Sequence, residues 1–235
     1  MKTITIWSDF ACPFCYIGEK RLKDAVKELG AENEIKFEYR AFELDPNAPI
    51  HPTAGSTADR LAAKYGISHE EAKKRIDAIE RMGNDLGLDF RYHSVKSVNT
   101  FDAHRLMKFA ESEYEPVVAD ALNFALFDAY FTKNLSLADR KVLLKLAGDA
   151  GIDEEQAKEV LEHGLYADQV RFDEKEAASR GVHGVPYMIF DGEFAVPGAI
   201  STEDCKTALR DILAKKEKKP EGFDAKACDE SGCKV

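Results

Sequence analysis

The stretch that most constrains this chain is Thr3-Ile4-Thr5-Ile6-Trp7-Ser8-Asp9-Phe10-Ala11-Cys12-Pro13-Phe14-Cys15-Tyr16. A short apolar, β-branched run ends in a Cys-Pro-Phe-Cys turn. Helical spacing follows at once, with Ile17, Leu22, Ala25, Val26 and Leu29 on one side. Two thiols at the start of a helix that follows a strand are the arrangement thiol–disulfide exchange needs. The open N–H groups and positive end of the helix dipole favour a thiolate on Cys12. Pro13 suits the first helical turn, where its missing N–H is not required. Cys15, one turn inward, is placed to close a disulfide with Cys12 and so release a mixed disulfide. Cys12 is therefore expected at the solvent as the reacting sulfur, with Cys15 as the resolving thiol. No cation lies between the two cysteines, and Phe14 offers an apolar contact to a partner instead. A reduction potential between about −270 and −120 mV is expected.

The chain has five cysteines among 235 residues. Beyond Cys12 and Cys15 they are the lone Cys205, read as a small core residue of the last helix, and Cys228/Cys233 near the C-terminus. Two close pairs point to redox or metal chemistry rather than to a structural disulfide framework. Cys228 and Cys233 are read as a second redox pair exchanging with Cys12 and Cys15. An idle tail and a four-thiolate zinc site are the alternatives, and no metal is the favoured expectation. A formal charge of −10 argues against nucleic acid or an anionic membrane as partner. No apolar run is long enough for a membrane span, and the first residues do not read as a signal peptide, so a cytoplasmic protein is expected.

In order, the pattern reads β-α-β, a helical block, then β-hairpin-α. Residues 35–41 alternate cleanly and form a second strand, parallel to the first across the helix. From about residue 57 to 181 nearly everything is helical, interrupted by a loop over 88–98. Ser68 with Glu71 makes a capping box, and Thr100, Ser136 and Asp153 are taken as further caps. Phe124, Phe127 and Phe131 give an apolar face behind Pro116. Sheet character returns at Val185-Pro-Tyr-Met-Ile-Phe190, turns at Asp191-Gly192 and runs back through Phe194-Ala-Val196. The two outer pieces must share one four-stranded sheet, since neither is stable alone.

Three segments together carry a resemblance to a known family: Cys12-Pro-Phe-Cys15, Asn99-Thr-Phe-Asp-Ala-His-Arg105, and Gly181-Val-His-Gly-Val-Pro-Tyr-Met-Ile-Phe190 with Val196-Pro-Gly198. The chain resembles the DsbA family of disulfide oxidoreductases, and most closely its FrnE-like branch. That branch is grouped with glutathione-dependent hydroxychromene-carboxylate isomerases and kappa-class glutathione transferases. The resemblance implies an α/β thioredoxin fold, a four-stranded mixed sheet with a large all-helical insertion and a short C-terminal tail. It divides the chain into a discontinuous thioredoxin-like domain (1–50 and 165–217), an insertion (51–164) and a tail (218–235). It further implies a cis Val185–Pro186 bond facing the thiols, with the Val185 backbone free to pair with an extended substrate. Catalysis is expected from Cys12, Cys15 and Pro186, and substrate contacts from Phe14, Val185, Phe101 and His104. For His104 a packed structural role is the favoured reading, and lining a cleft above the thiols with Phe101 is the alternative.

The function expected is exchange of disulfides in protein or small-molecule substrates, with no cofactor, or with glutathione as co-substrate. Two rivals stand beside it. One is a glutathione-dependent isomerase or transferase acting on aromatic or polyketide molecules, although such relatives commonly carry Ser where Cys12 stands. The other is a non-enzymatic thiol or zinc module. Oligomeric state is left open, a homodimer included.

Overall fold

A computed structural model describes residues 1–52 and 55–215. Cys228 and Cys233 lie outside the described residues. Strand β1 (Lys2–Ser8) leads into helix α1 (Pro13–Glu28), and β2 (Ile35–Ala41) returns parallel to β1 with Ile4 opposite Phe37 and Ser8 opposite Ala41. After the helical block, β3 (Tyr187–Phe190) pairs antiparallel with β1, and β4 (Phe194–Pro197) with β3. The four-stranded sheet has the order β2-β1-β3-β4. Asp191 and Gly192 both take positive φ, 50° and 68°, as a tight two-residue hairpin turn requires.

The alternation of β1 sorts its residues between two layers. Ile4 and Ile6 join Met188, Phe190, Leu22 and Val26 in the main core, together with Leu209 and Ile212 of α9 (Thr202–Ala214). Trp7 faces the other way, packing with Ala177, Val182 and Tyr187, and its indole N–H donates to the Asp173 carbonyl at 3.0 Å. Cys205 is fully buried in α9, as expected of a core residue, and burial pushes its thiol up to about 11.

Among the described residues, seven α-helices come between β2 and the last hairpin: α2 (Thr57–Tyr65), α3 (His69–Asn84), α4 (Phe101–Glu113), α5 (Pro116–Phe131), α6 (Arg140–Asp149), α7 (Glu154–Glu162) and α8 (Ala167–Ser179). A 3-10 turn at Tyr92–Ser94 interrupts the expected loop. Ser68 and Asp153 cap α3 and α7 as anticipated. Ser136 does not cap α6. Its carbonyl accepts from Asp139 N in a turn that buries Leu137, and the Asp139 carboxylate caps the helix instead. Thr100 stands at the N-cap position of α4, but its hydroxyl bonds elsewhere. Among the described residues no helix is long and apolar enough to cross a membrane.

Candidate active site

Cys12 occupies the N-cap of α1 with extended backbone (φ −93°, ψ 113°), and Pro13 opens the first turn. The turn closes on itself: Cys12 N donates to the Asp9 carbonyl at 2.9 Å and Cys15 N to the Cys12 carbonyl at 3.1 Å. The Cys12 thiol donates to the Val185 carbonyl at 3.4 Å, and the Val185–Pro186 peptide bond is cis. Residues separated by the whole helical block therefore meet at one sulfur. Gly18, one turn along α1 from Cys15, makes this approach feasible. A Cβ there would stand 3.3 Å from both the Pro186 Cγ and the Ala199 Cβ.

The expected exposure of Cys12 needs correction. Cys12 is not at the solvent: it is 4% exposed, because its thiol turns under the proline loop to meet Val185. Cys15 is 0% exposed, and both thiols are free. Burial first, then the hydrogen bond and charge of Cys12 and the charge of Glu19, hold the Cys15 thiol well above its ordinary value. Phe14 is the exposed member of the turn.

The aromatic stripe of α5 explains why the turn stays in place. Tyr16, next to Cys15, stacks on Phe127 at 5.1 Å with an interplanar angle of 4°, and Phe90, Phe124 and Phe131 close around it. The helical block thus grips α1 immediately behind the thiols, and such ring pairs add to their area burial.

Two buried acids complete the site, and sequence reasoning gave neither a role. Asp9, 1% exposed, accepts from Ala11 N (3.0 Å), the Thr100 hydroxyl (2.9 Å) and Leu44 N (2.7 Å). It ties the Cys-Pro-Phe-Cys turn to the loop after β2 and to the start of α4. Glu19, also 1% exposed, accepts from the Ser8 hydroxyl and from Asn123 Nδ2, each at 2.6 Å. Burial, opposed by those bonds and by Lys23, pushes its carboxyl up to about 7. The signal for Glu19 was its spacing: four residues after Cys15, it shares the inward face of α1 with Leu22.

His104 takes the packed role favoured for it. His104 is buried, its ring 4.8 Å from Phe10 and its Nε2 3.7 Å from the nearer Asp9 oxygen, in the wall behind the turn. Phe101 lies beneath the Arg171 guanidinium at 4.2 Å. Arg171 in turn pairs with buried Glu43 at 2.6 Å. A cleft of about 510 Å³ lies elsewhere, on the outer edge of β2 and walled by α4, α5 and α8. Asp77, Glu80 and His93 bring ligand atoms within 4.8 Å of one another on the surface. The His93 ring is already within 2.6 Å of Asp77 through Nε2, and its backbone N–H donates to Glu80 at 2.9 Å.

A Cys-x-x-Cys turn opening a helix, set against a cis-proline and flanked by a β-α-β unit and a β-hairpin-α unit, defines a thioredoxin fold carrying a helical insertion. Residues 3–210 match the model of the DSBA-like thioredoxin domain, and the chain belongs to that family. It superposes on a probable DsbA oxidoreductase from Streptomyces coelicolor with a TM-score of 0.86 and 34% identity, covering 100% of this chain and 99% of that one. It is 26% identical to the uncharacterized protein YwbO of Bacillus subtilis (strain 168), over 91% of this chain and 98% of the relative. It is 23% identical to the 2-hydroxychromene-2-carboxylate isomerase of Sphingobium xenophagum, over 82% and 90%.

Proposed function

We propose that this chain is a thiol–disulfide oxidoreductase working through Cys12 and Cys15 on disulfide- or thiol-bearing proteins or small molecules. The observation that carries the reading is the Cys12 thiol at the start of α1, on the Val185 carbonyl beside cis-Pro186, with Cys15 one turn behind it. In the reducing direction, the Cys12 thiolate attacks a substrate disulfide and one half leaves as a thiolate. Cys15 then attacks Sγ of Cys12, the second half leaves, and the chain is oxidised while the substrate is reduced. Run backwards, the same steps oxidise a dithiol. Because Cys12 is covered, a substrate has to replace the Val185 contact as it docks. The Val185 backbone then suits an extended segment added alongside it, and exposed Phe14 supplies an apolar contact. Cys228 and Cys233 are assigned as a second pair that exchanges with the first, and a cytoplasmic setting fits a turnover that starts from reduced thiols.

Reduction of insulin by dithiothreitol tests the reading. The wild type should accelerate precipitation, and Cys12→Ser should not; equal acceleration by both would refute exchange at Cys12. A second reading draws on the likeness to the chromene-carboxylate isomerase: glutathione serves as co-substrate in isomerising an aromatic small molecule. Such a reaction needs no resolving thiol. A glutathione-dependent isomerisation that survives Cys15→Ala would favour it, whereas the presence of both thiols favours exchange.

A further inference from the structure

We propose that the cleft on the outer edge of β2 docks an extended polypeptide segment, which adds a strand beside Phe37 and carries basic side chains on either side of a small apolar one. No residue of the Cys-Pro-Phe-Cys turn lines this cleft, so the site stands whether or not the thiols exchange disulfides.

The edge of β2 is sealed by side chains over part of its length. Tyr39 N donates to Glu111 Oε1 at 2.7 Å and Ala41 N to Asp173 Oδ2 at 3.0 Å, while Phe42 N, one place on, donates to the Ser8 carbonyl of β1 at 3.0 Å. The Tyr39 carbonyl accepts from the Lys108 ammonium. Side chains of α4 and α8 thus stand where a neighbouring strand would, one of the ways folded proteins blunt a bare edge. By alternation the Phe37 backbone faces the same outer side, and among the described residues its N–H and C=O have no partner there. That rung opens into the cleft of about 510 Å³. One residue of an antiparallel strand set opposite Phe37 would make both bonds at once.

The walls beside this rung are already in place. Tyr114 and Tyr166 each set a ring against Phe109, at 5.5 and 5.6 Å, and their hydroxyls donate to Gln156 and Glu113 at 2.9 and 3.0 Å. Side chains held this way lose little freedom when a ligand arrives. Phe172 of α8 lines the same cleft, is 61% exposed and meets no other ring among the described residues. An aromatic presented on a helix at the rim of a cleft suits the anchor of an interface.

Alternation also sets the pattern that fits. Phe37 and Tyr39 share the α5 face of the sheet, where the Tyr39 hydroxyl donates to Asp120 at 2.6 Å. Arg40 takes the α8 face, where it pairs with Asp173 at 3.1 Å. A residue opposite Phe37 would share its face and meet Pro116 and Ala119 of α5, which suits a small apolar side chain. Its two neighbours would take the α8 face, toward Asp168 and Phe172. The cleft is lined by five acids and three bases, so an added cation is favoured over an added anion. Lys36 is engaged by Glu38, Arg40 by Asp173 and Lys108 by Glu111, whereas Asp168 has no partner among the described residues. A long basic side chain can lay its methylenes on Phe172 and its charge beside Asp168.

The test titrates the full-length chain with a labelled, end-blocked peptide, Gly-Ser-Lys-Val-Lys-Ser-Gly, read by fluorescence anisotropy, with hydrogen exchange at the Phe37 amide as a second readout. Binding should saturate, slow exchange at Phe37 about tenfold or more, and persist in Cys12→Ser. Asp168→Lys and Phe172→Ala, both at exposed positions, should each weaken binding about tenfold. Methylating the backbone nitrogen of the peptide's valine removes the donor to the Phe37 carbonyl and leaves every charge intact; it should weaken binding by about as much. A peptide with glutamate in place of both lysines should not bind. Unchanged exchange at Phe37, or equal affinity for the methylated peptide, would overturn strand addition. Equal binding of the glutamate peptide, or wild-type affinity in Asp168→Lys, would overturn the basic preference. Displacement by spermidine at the peptide's own affinity would make this a site for amines and overturn the peptide reading. Absence of binding, or its loss in Cys12→Ser, would overturn the site itself, whereas failure of the exchange reading would leave all of these results unmoved.

Discussion

Cys12 and Cys15 stand one helical turn apart and meet opposite surroundings. Cys12 faces backbone, the Val185 carbonyl beside cis-Pro186, a contact that under the proposed exchange a substrate would have to displace. Cys15 faces side chains, a closed core containing Glu19 and the aromatic grip on Tyr16. The difference teaches that the two sulfurs need different things. Under the proposed exchange, the outer one needs a removable contact and the inner one a fixed position.

The largest effect should come from breaking the outer half. Cys12→Ser is expected to abolish insulin reduction, while Cys15→Ala should leave mixed disulfides stranded on Cys12, read by non-reducing electrophoresis. Next is the inner grip: Tyr16→Ala removes a fully enclosed ring and should cost about 3–5 kcal/mol in denaturant unfolding. Asp9→Ala would orphan the Ala11 and Leu44 N–H groups and the Thr100 hydroxyl, costing roughly 3 kcal/mol.

A smaller effect of opposite sign comes from Glu19. Its folded carboxyl titrates near 7, above the ordinary carboxylate range, so the fold binds its proton more tightly than the unfolded chain does. The stability this gives is full below the unfolded value and is lost as pH rises through about 7. Glu19→Gln should therefore flatten the profile and gain on the order of 2 kcal/mol at mildly alkaline pH. Last, Gly18→Ala crowds Pro186 and Ala199 and should cost about 1 kcal/mol, with a larger loss in exchange rate than in stability. An equal loss in both would mean that Gly18 serves packing alone.

The sheet, its order of strands and the hairpin at Asp191-Gly192 were legible because each rests on a local pattern, alternation or turn chemistry. Cys12, Cys15 and the cis Val185–Pro186 bond were legible because three segments matched together. Burial of Cys12 was not, since it depends on a loop more than 170 residues away folding over the thiol. Ser136 was misread because a Ser before an apolar run looks like a cap, and only the buried Leu137 shows that the helix starts later. Asp9 and Glu19 were visible as letters but not as a site. A lone acid in an apolar stretch acquires meaning only when Thr100, Leu44, Ser8 and Asn123 arrive from other elements.

The account turns on whether a covered sulfur can still react. Incubating the Cys15→Ala chain with oxidised glutathione and locating the adduct by peptide mass spectrometry asks this directly. A single glutathionyl group on Cys12, absent from Cys12→Ser, is the result the account predicts. An unmodified Cys12 would contradict it, as would modification confined to Cys205.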